Sequence, residues 1–263
     1  MRVDVYLHKF GYTTSRKKAQ DAISAGGVTI DGREISKSSV EIDETVDHDV
    51  SVTEACLYVG RGGLKLEGAL DAFRINVRDT VAVDIGASTG GFTDCLLKRG
   101  ASKVYAIDAG FGQLAKSLAS DPRVVSIERF NARDLTRETL EESCDLAVMD
   151  VSFISQTYIL PGVASVLKEG GRFVSLIKPQ FEAGKSALGK NGIVHSAAYR
   201  FLAVKRVLHS AETLGLRPVG LIRSPIKGGD GNVEYLAAFE MTAGEVLKSP
   251  ITDAEIKRIT RQD

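Results

Sequence analysis

Val3, Leu7 and Phe10 fall at i, i+4 and i+7, the spacing of one face of a helix. Ser15 then stands where a side chain caps a second helix, which carries Arg16, Lys17, Lys18, Ala19, Ala22 and Ile23 and is stopped by Gly26-Gly27. Val28-Thr29-Ile30 reads as a strand, and Asp31-Gly32 as the two-residue turn of a hairpin. After Tyr58-Val59-Gly60-Arg61-Gly62-Gly63, the residues Leu64, Ala69, Leu70 and Phe73 predict another helix. From there short apolar runs alternate with helical stretches. The runs are Val81–Asp84, Val104–Asp108, Val124–Ile127, Leu146–Asp150, Phe173–Ile177, Val219–Ile222 and Val233–Phe239. Seven such runs predict a doubly wound, mostly parallel sheet. The last two are joined by a loop too short for a crossover helix, so they pair antiparallel. Ligands of such sheets bind where the strand carboxyl ends meet the loops.

The chain has 263 residues, 43 % of them hydrophobic and 26 % charged, which is enough for a sizeable core. Lys plus Arg and Asp plus Glu both total 34, so any nucleic-acid surface must be a local patch. That patch is at the start. Residues 1–40 carry seven Lys or Arg against four acids, and residues 41–54 carry six acids and no Lys or Arg. The expected division is a leading domain over 1–57, a glycine-rich hinge over 58–63, a large domain over 64–245, and a tail over 246–263 in which Ile251 to Arg261 can add a helix. No run of 18 apolar residues and no signal-peptide pattern occur, so a cytoplasmic protein without membrane spans is expected. Cys56, Cys95 and Cys144 form no C-x-x-C pair, and His8, His48, His195 and His209 are scattered, so no disulfide framework and no metal site are expected.

Candidate chemistry gathers at the strand ends. Asp84-Ile85-Gly86-Ala87-Ser88-Thr89-Gly90-Gly91-Phe92 follows the first strand of the sheet and opens a helix. Its glycines let backbone approach a ligand, and the helix start supplies free N–H groups. The spacing is not G-x-G-x-x-G. An acid followed by G-x-x-x-G-G better suits S-adenosylmethionine, whose sulfonium is positive, and Asp108, ending the next strand, can accept ribose hydroxyls. The plainer alternative is a tight turn with a chance acid. Asp150 and Lys178 end two later strands, Glu234 sits just inside another, and Lys65 opens the helix before the first. Two amines and two acids at one rim would shift one another's proton affinities and let a lysine assist deprotonation. Singly, a solvated Lys or a capping Asp is the ordinary explanation, and the sequence leaves their convergence open.

Gly184-Lys185-Ser186-Ala187-Leu188-Gly189-Lys190-Asn191 nearly matches a P-loop, but Asn191 replaces the metal-binding hydroxyl and the stretch lies well after its strand. Ser88 lacks a G-x-S-x-G setting for a hydrolase. Arg16-Lys17-Lys18, with Arg2, Lys9, Arg33, Lys37 and Arg61, forms a basic group able to neutralise phosphates without reading sequence, or else a solvated helix face. The small number of aromatics there favours structured RNA read by shape.

These stretches are familiar. Ser15 to Gln20, Ile23 and Gly26 to Gly32 resemble the RNA-binding domain named after ribosomal protein S4. Arg61 to Leu70, Asp84 to Asp94, Asp150 to Ser155, Ile177 to Glu182 and Gly231 to Tyr235 resemble the TlyA family, related to the FtsJ (RrmJ) type. The resemblance implies a Rossmann-like S-adenosylmethionine-dependent methyltransferase fold behind a small α+β S4-like domain. It implies 2′-O-methylation of a cytidine ribose in 16S and/or 23S ribosomal RNA. Lys65, Asp150, Lys178 and Glu234 are then the catalytic tetrad, with the methyl donor over Gly86 to Phe92, Asp108 on its ribose, and Asn131 and Ala132 near its adenine. Family members are often labelled haemolysins. Two other classes are an inactive RNA-binding or ribosome-assembly factor and a membrane-lytic protein, though no long amphipathic segment is present for the latter.

Overall fold

A computed structural model describes the chain apart from residues 14, 25, 53–57, 230, 243–248 and 262–263. Cys56 and the expected domain borders at 57 and 245 lie outside the described residues. The chain forms two compact units, Met1–Gly63 and Leu64–Asp263.

In the first unit the predicted helices are α1 (Val3–Lys9) and α2 (Arg16–Ser24), followed by β1 (Val28–Ile30), β2 (Arg33–Glu34) and β3 (Val50–Val52) in the order β2-β1-β3. The Ser15 hydroxyl accepts the Lys18 N–H at 3.1 Å, a cap at the start of α2. Asp31 and Gly32 have φ of 52° and 71°, which is the primed hairpin turn that D-G sequences favour. Val3, Leu7, Ala19, Ile23 and Val28 form the core. Phe10 departs from the expected helix face. The helix ends at Lys9, and Phe10 is 47 % exposed with its ring 4.5 Å from that of Tyr6. Strand β3 was not foreseen, because Val50 and Val52 are embedded in the acidic run.

Helix α3 (Gly62–Ala72) spans the border, and the second unit continues with β4 (Val81–Ile85), α4 (Gly91–Lys98), β5 (Lys103–Ile107), α5 (Lys116–Ala119) and β6 (Val124–Ile127). Then come β7 (Cys144–Met149), α6 (Leu160–Val166), β8 (Leu167–Ile177), α7 (Pro179–Glu182), α8 (Ala197–Glu212), β9 (Leu216–Arg223), β10 (Tyr235–Met241) and α9 (Asp253–Arg261). Gly62 and Gly63, expected in the hinge, instead form the first turn of α3. The sheet order is β6-β5-β4-β7-β8-β10-β9. Strands β4 to β8 pair parallel, and β10 pairs antiparallel with both β8 and β9. The last strand is therefore inserted between its two predecessors. Tyr105, Met149, Phe173 and Phe239 fill the sheet core, and burying each contributes on the order of 2 kcal/mol. The direction of the chain switches between β4 and β7, which lie side by side, so their carboxyl ends flank a crevice.

Candidate active site

The turn after β4 is the floor of that crevice. Gly86 has φ +86°, and a Cβ there would stand 2.7 Å from the Asp150 carbonyl oxygen, so only glycine lets the two strand ends approach. The Gly86 and Ala87 N–H groups both donate to the Ile107 carbonyl, at 2.9 and 3.0 Å, and the Asp150 N–H donates to the Ile85 carbonyl at 3.0 Å. Three strand ends are thereby tied together. Asp108 accepts the Ser88 N–H on Oδ2 at 2.8 Å and the Gly110 N–H on Oδ1 at 2.7 Å, which fixes the carboxylate. Beside them opens a cavity of about 380 Å³. It is lined by the predicted Gly86, Ser88, Asp108, Asn131, Ala132 and Asp150, and by Ile107, Phe130, Ser152 and Phe153. That size and this mix of apolar walls with a few polar groups suit a small-molecule ligand.

Other predicted cofactor residues build the turn without lining the cavity. Gly90 has φ +96°, and a Cβ there would meet Leu118 at 2.3 Å. Gly91 and Phe92 are buried in the first turn of α4, and Thr89 accepts the Ala115 N–H through its carbonyl. Asp84 is corrected in the same way. It is fully buried beneath the turn, and its Oδ2 accepts the Thr93 hydroxyl at 2.7 Å while Oδ1 has no hydrogen-bond partner. Burial pushes its carboxyl up to about 7, aided by the charge of Asp150 and opposed by the Thr93 hydrogen bond. A raised acid contributes stability that is complete below the ordinary 3.8 and is lost as pH climbs through about 7. Asp84→Asn does not titrate, so its stability relative to wild type is expected to rise from pH 4 to pH 7 and level off above. The ceiling is about 4 kcal/mol, and thermal unfolding of both proteins between pH 5 and 8 checks it.

The four charged residues form two ion pairs. Lys65 Nζ donates to Glu234 Oε2 at 2.6 Å, with both side chains buried. Lys178 Nζ lies 2.6 Å from Asp150 Oδ1 and donates to Ser152 Oγ at 2.8 Å. The Asp150 contact is one of charge, and Oδ1 accepts no hydrogen bond. Lys178 and Asp150 are 11 % and 22 % exposed, against 9 % and 3 % for the other pair, so a substrate reaches the Lys178 pair more readily. Register explains the grouping. Tyr235 is level with Ile177, so Glu234 one step earlier is level with Lys178 one step later, and β7 lies on the other flank of β8. Glu234 stands just ahead of β10, not inside it as expected.

The basic residues of the first unit divide. Arg2 and Arg16 both clamp Asp4, which is fully buried, and Gln20 joins them at 2.7 Å. Burial works to raise the Asp4 carboxyl, but the bonds from Gln20, Arg16 and Arg2 outweigh it and lower it to about 2. Lys9 pairs with Glu44, Lys17 with Asp21, and the mostly buried Arg61 with Glu34 at 2.6 Å. Lys18, Arg33 and Lys37 are exposed. Arg2, Arg16 and Arg61 thus hold the fold together, which a charge run could not reveal. The near P-loop stretch carries two short 3-10 turns, Lys185–Ala187 and Lys190–Gly192, and no helix opens directly on it to cradle a phosphate. Among the described residues no cluster of three or more His, Cys, Asp or Glu could hold a metal ion. Sequence reasoning passed over Phe130, Ser152 and Phe153 as cavity walls, although Ser152 and Phe153 follow Asp150 directly.

The FtsJ-like methyltransferase family matches residues 58–241, and the S4 domain family matches residues 1–47. "Hemolysin A" of Brachyspira hyodysenteriae is 46 % identical over 240 residues, covering 91 % of this chain and 99 % of that protein. The "16S/23S rRNA (cytidine-2'-O)-methyltransferase TlyA" of Mycobacterium tuberculosis is 45 % identical over 234 residues, covering 89 % and 87 %. The solved structure of a hemolysin candidate from Streptococcus thermophilus superposes with a TM-score of 0.78 at 40 % identity, covering 99 % of this chain and 94 % of that one. An S-adenosylmethionine-dependent methyltransferase from Mesorhizobium loti, 19 % identical with a TM-score of 0.51 over 66 % of this chain and 96 % of its own, shares the fold.

Proposed function

The chain belongs to the FtsJ-like methyltransferase family, with an S4 domain at its start, and on that premise we propose that it methylates the 2′-hydroxyl of a cytidine ribose in ribosomal RNA. The observation that carries this reading is that Asp150, the acid of the more accessible ion pair with Lys178, lines the same cavity as Asp108, the two following the strands that flank β4.

The residues present fit S-adenosylmethionine, which supplies a methyl group activated on a sulfonium. Asp108 keeps lone pairs for a sugar diol beyond those used by its two backbone donors, and Phe130, Asn131 and Ala132 offer an apolar wall with a polar edge for a base. Asp150 places a carboxylate, shared with the Lys178 amine, on the cavity wall, where it can face a cationic centre. A ribose hydroxyl is a weak nucleophile and needs alignment and a proton acceptor. Lys178 orients that hydroxyl and, once its ammonium has released a proton to solvent, takes the hydroxyl proton as the oxygen gains the methyl group. Asp150 and Ser152 hold Lys178 in place from two directions. The buried Lys65–Glu234 pair backs the rim and tunes its charge. A cysteine or serine nucleophile is not needed, since a sulfonium already carries a good leaving group, the neutral thioether.

The first unit grips RNA phosphates through its exposed cations. Because Arg2 and Arg16 hold the buried Asp4, whereas the Lys17–Asp21 pair lies open to solvent, the test falls on Lys17 and Lys18. Lys17→Glu with Lys18→Glu is expected to weaken binding of ribosomal subunits by 10-fold or more at low salt, to flatten the salt dependence, and to leave donor affinity unchanged. Filter binding across a salt series reads both. Primer extension on rRNA treated with the protein at low nucleotide concentration is expected to stop at one ribose; no stop on either subunit's RNA would remove the reading. Hemolysin names among the relatives raise membrane lysis as the other reading. No helix among the described residues is long and apolar enough to cross a membrane, and leakage from protein-free liposomes is expected to be nil.

A further inference from the structure

Glu182 has no part in the chemistry above, yet it is a buried acid, 3 % exposed, at the end of the short helix that Lys178 opens. Its Oε2 accepts the Ser155 hydroxyl at 2.6 Å, and its Oε1 accepts the Gln156 backbone N–H at 2.8 Å. Gln156 is also buried. Its amide donates to the Leu176 carbonyl at 2.6 Å and accepts the Ser175 hydroxyl, both just ahead of Lys178 in β8. On the outer side the Phe153 ring packs against Phe181 with centroids 5.1 Å apart. Beyond the contacts of Lys178 with Asp150 and Ser152, the segment that begins at Asp150 and the segment that begins at Lys178 are therefore joined by a carboxylate within and by two rings without. Arg206 reaches only the backbone oxygen of Glu182, at 3.3 Å. Burying a carboxylate between neutral donors is unfavourable, and burial pushes this one above the usual range. An apolar side chain would avoid that cost but could not accept the converging O–H and N–H.

We propose that Glu182 is a positioning residue for the Lys178–Asp150 pair. By holding Ser155 and Gln156 it fixes where the end of β7 meets the end of β8, and so sets the rate of methyl transfer without touching either substrate. The proposal rests on the methyl-transfer reading above.

The test compares kcat, the KM for ribosomal subunits and the donor Kd of the full chain with those of Glu182→Ala, Glu182→Gln and Ser155→Ala. Glu182→Ala is expected to lower kcat by on the order of 10² while KM and Kd stay within about twofold, because a displacement near 1 Å is costly at a reacting centre. Glu182→Gln is expected to restore kcat to within a few-fold. Its oxygen can accept the Gln156 N–H and its amide can donate to Ser155, whose proton turns to Thr157 Oγ1, 2.8 Å away. Ser155→Ala should fall between the two. Wild-type kcat in Glu182→Ala, equal impairment in Glu182→Gln, or a parallel rise in KM and Kd overturns the proposal. If Glu182→Ala does not fold, the comparison of Ser155→Ala with Glu182→Gln decides, and equal rates in those two overturn it. A wild-type protein that transfers no methyl takes down the functional reading, a result distinct from all of these.

Discussion

Lys178→Ala is expected to lose methyl transfer by a factor on the order of 10² to 10⁴ while binding the methyl donor within about twofold of wild type. The separation follows from where Lys178 stands. Its amine meets Asp150 and Ser152 at the rim, and it is not among the cavity walls that would hold the donor. Asp150, which does line the cavity, is 22 % exposed, so water can solvate it when the amine is removed. Lys178→Arg sharpens the result. Arginine can keep the ion pair but stays protonated, so it is expected to be nearly as inactive as alanine. Recovery in Lys178→Arg would mean that the residue only aligns. Single-turnover transfer to ribosomal subunits, with calorimetry for the donor, reads both quantities.

The second large effect is on stability. Lys65→Met leaves the Glu234 carboxylate buried without its amine, and Glu234→Leu strands the amine instead. Each single change is expected to cost about 3–5 kcal/mol, because breaking a buried pair exposes an uncompensated charge to a poor solvent. Lys65→Met combined with Glu234→Leu should recover most of that loss, since both charges leave together. Denaturant unfolding of the four proteins completes the cycle. Activity should follow a different course. If the pair tunes the rim, the double variant remains impaired although it is folded. Full recovery of both stability and rate would reduce the pair to scaffold.

Much of the fold was legible because its signals are local. The D-G turn, the Ser15 cap and the alternation of apolar runs with helices each depend on a few neighbouring residues, and the sheet follows from their sum. The glycine turn after β4 was legible for the same reason. Pairing across the chain was not. Arg16 looked like part of a phosphate-binding run, yet it reaches twelve residues back to a buried acid, and nothing in the triplet encodes that. Asp84 shares a motif with the cavity residues but faces beneath the turn, a difference of one pleat that composition cannot express. The grouping of Lys65, Asp150, Lys178 and Glu234 needed the register of β8 with β10, which is set 58 residues apart at Tyr235 and Ile177. Glu182 escaped notice because a buried acid held by a hydroxyl and an amide has no sequence signature beyond its proximity to Lys178.

A sugar oxygen of ribosomal RNA is the expected methyl acceptor at this rim. Ribosomal subunits lacking the modification can be incubated with the protein and a donor carrying a deuterated methyl group, and the RNA then digested to nucleosides for mass spectrometry. The expected product is cytidine bearing the label on its ribose, formed by wild type and absent with Lys178→Ala. Label on a base, or none in RNA from either subunit while the donor is bound, would contradict it.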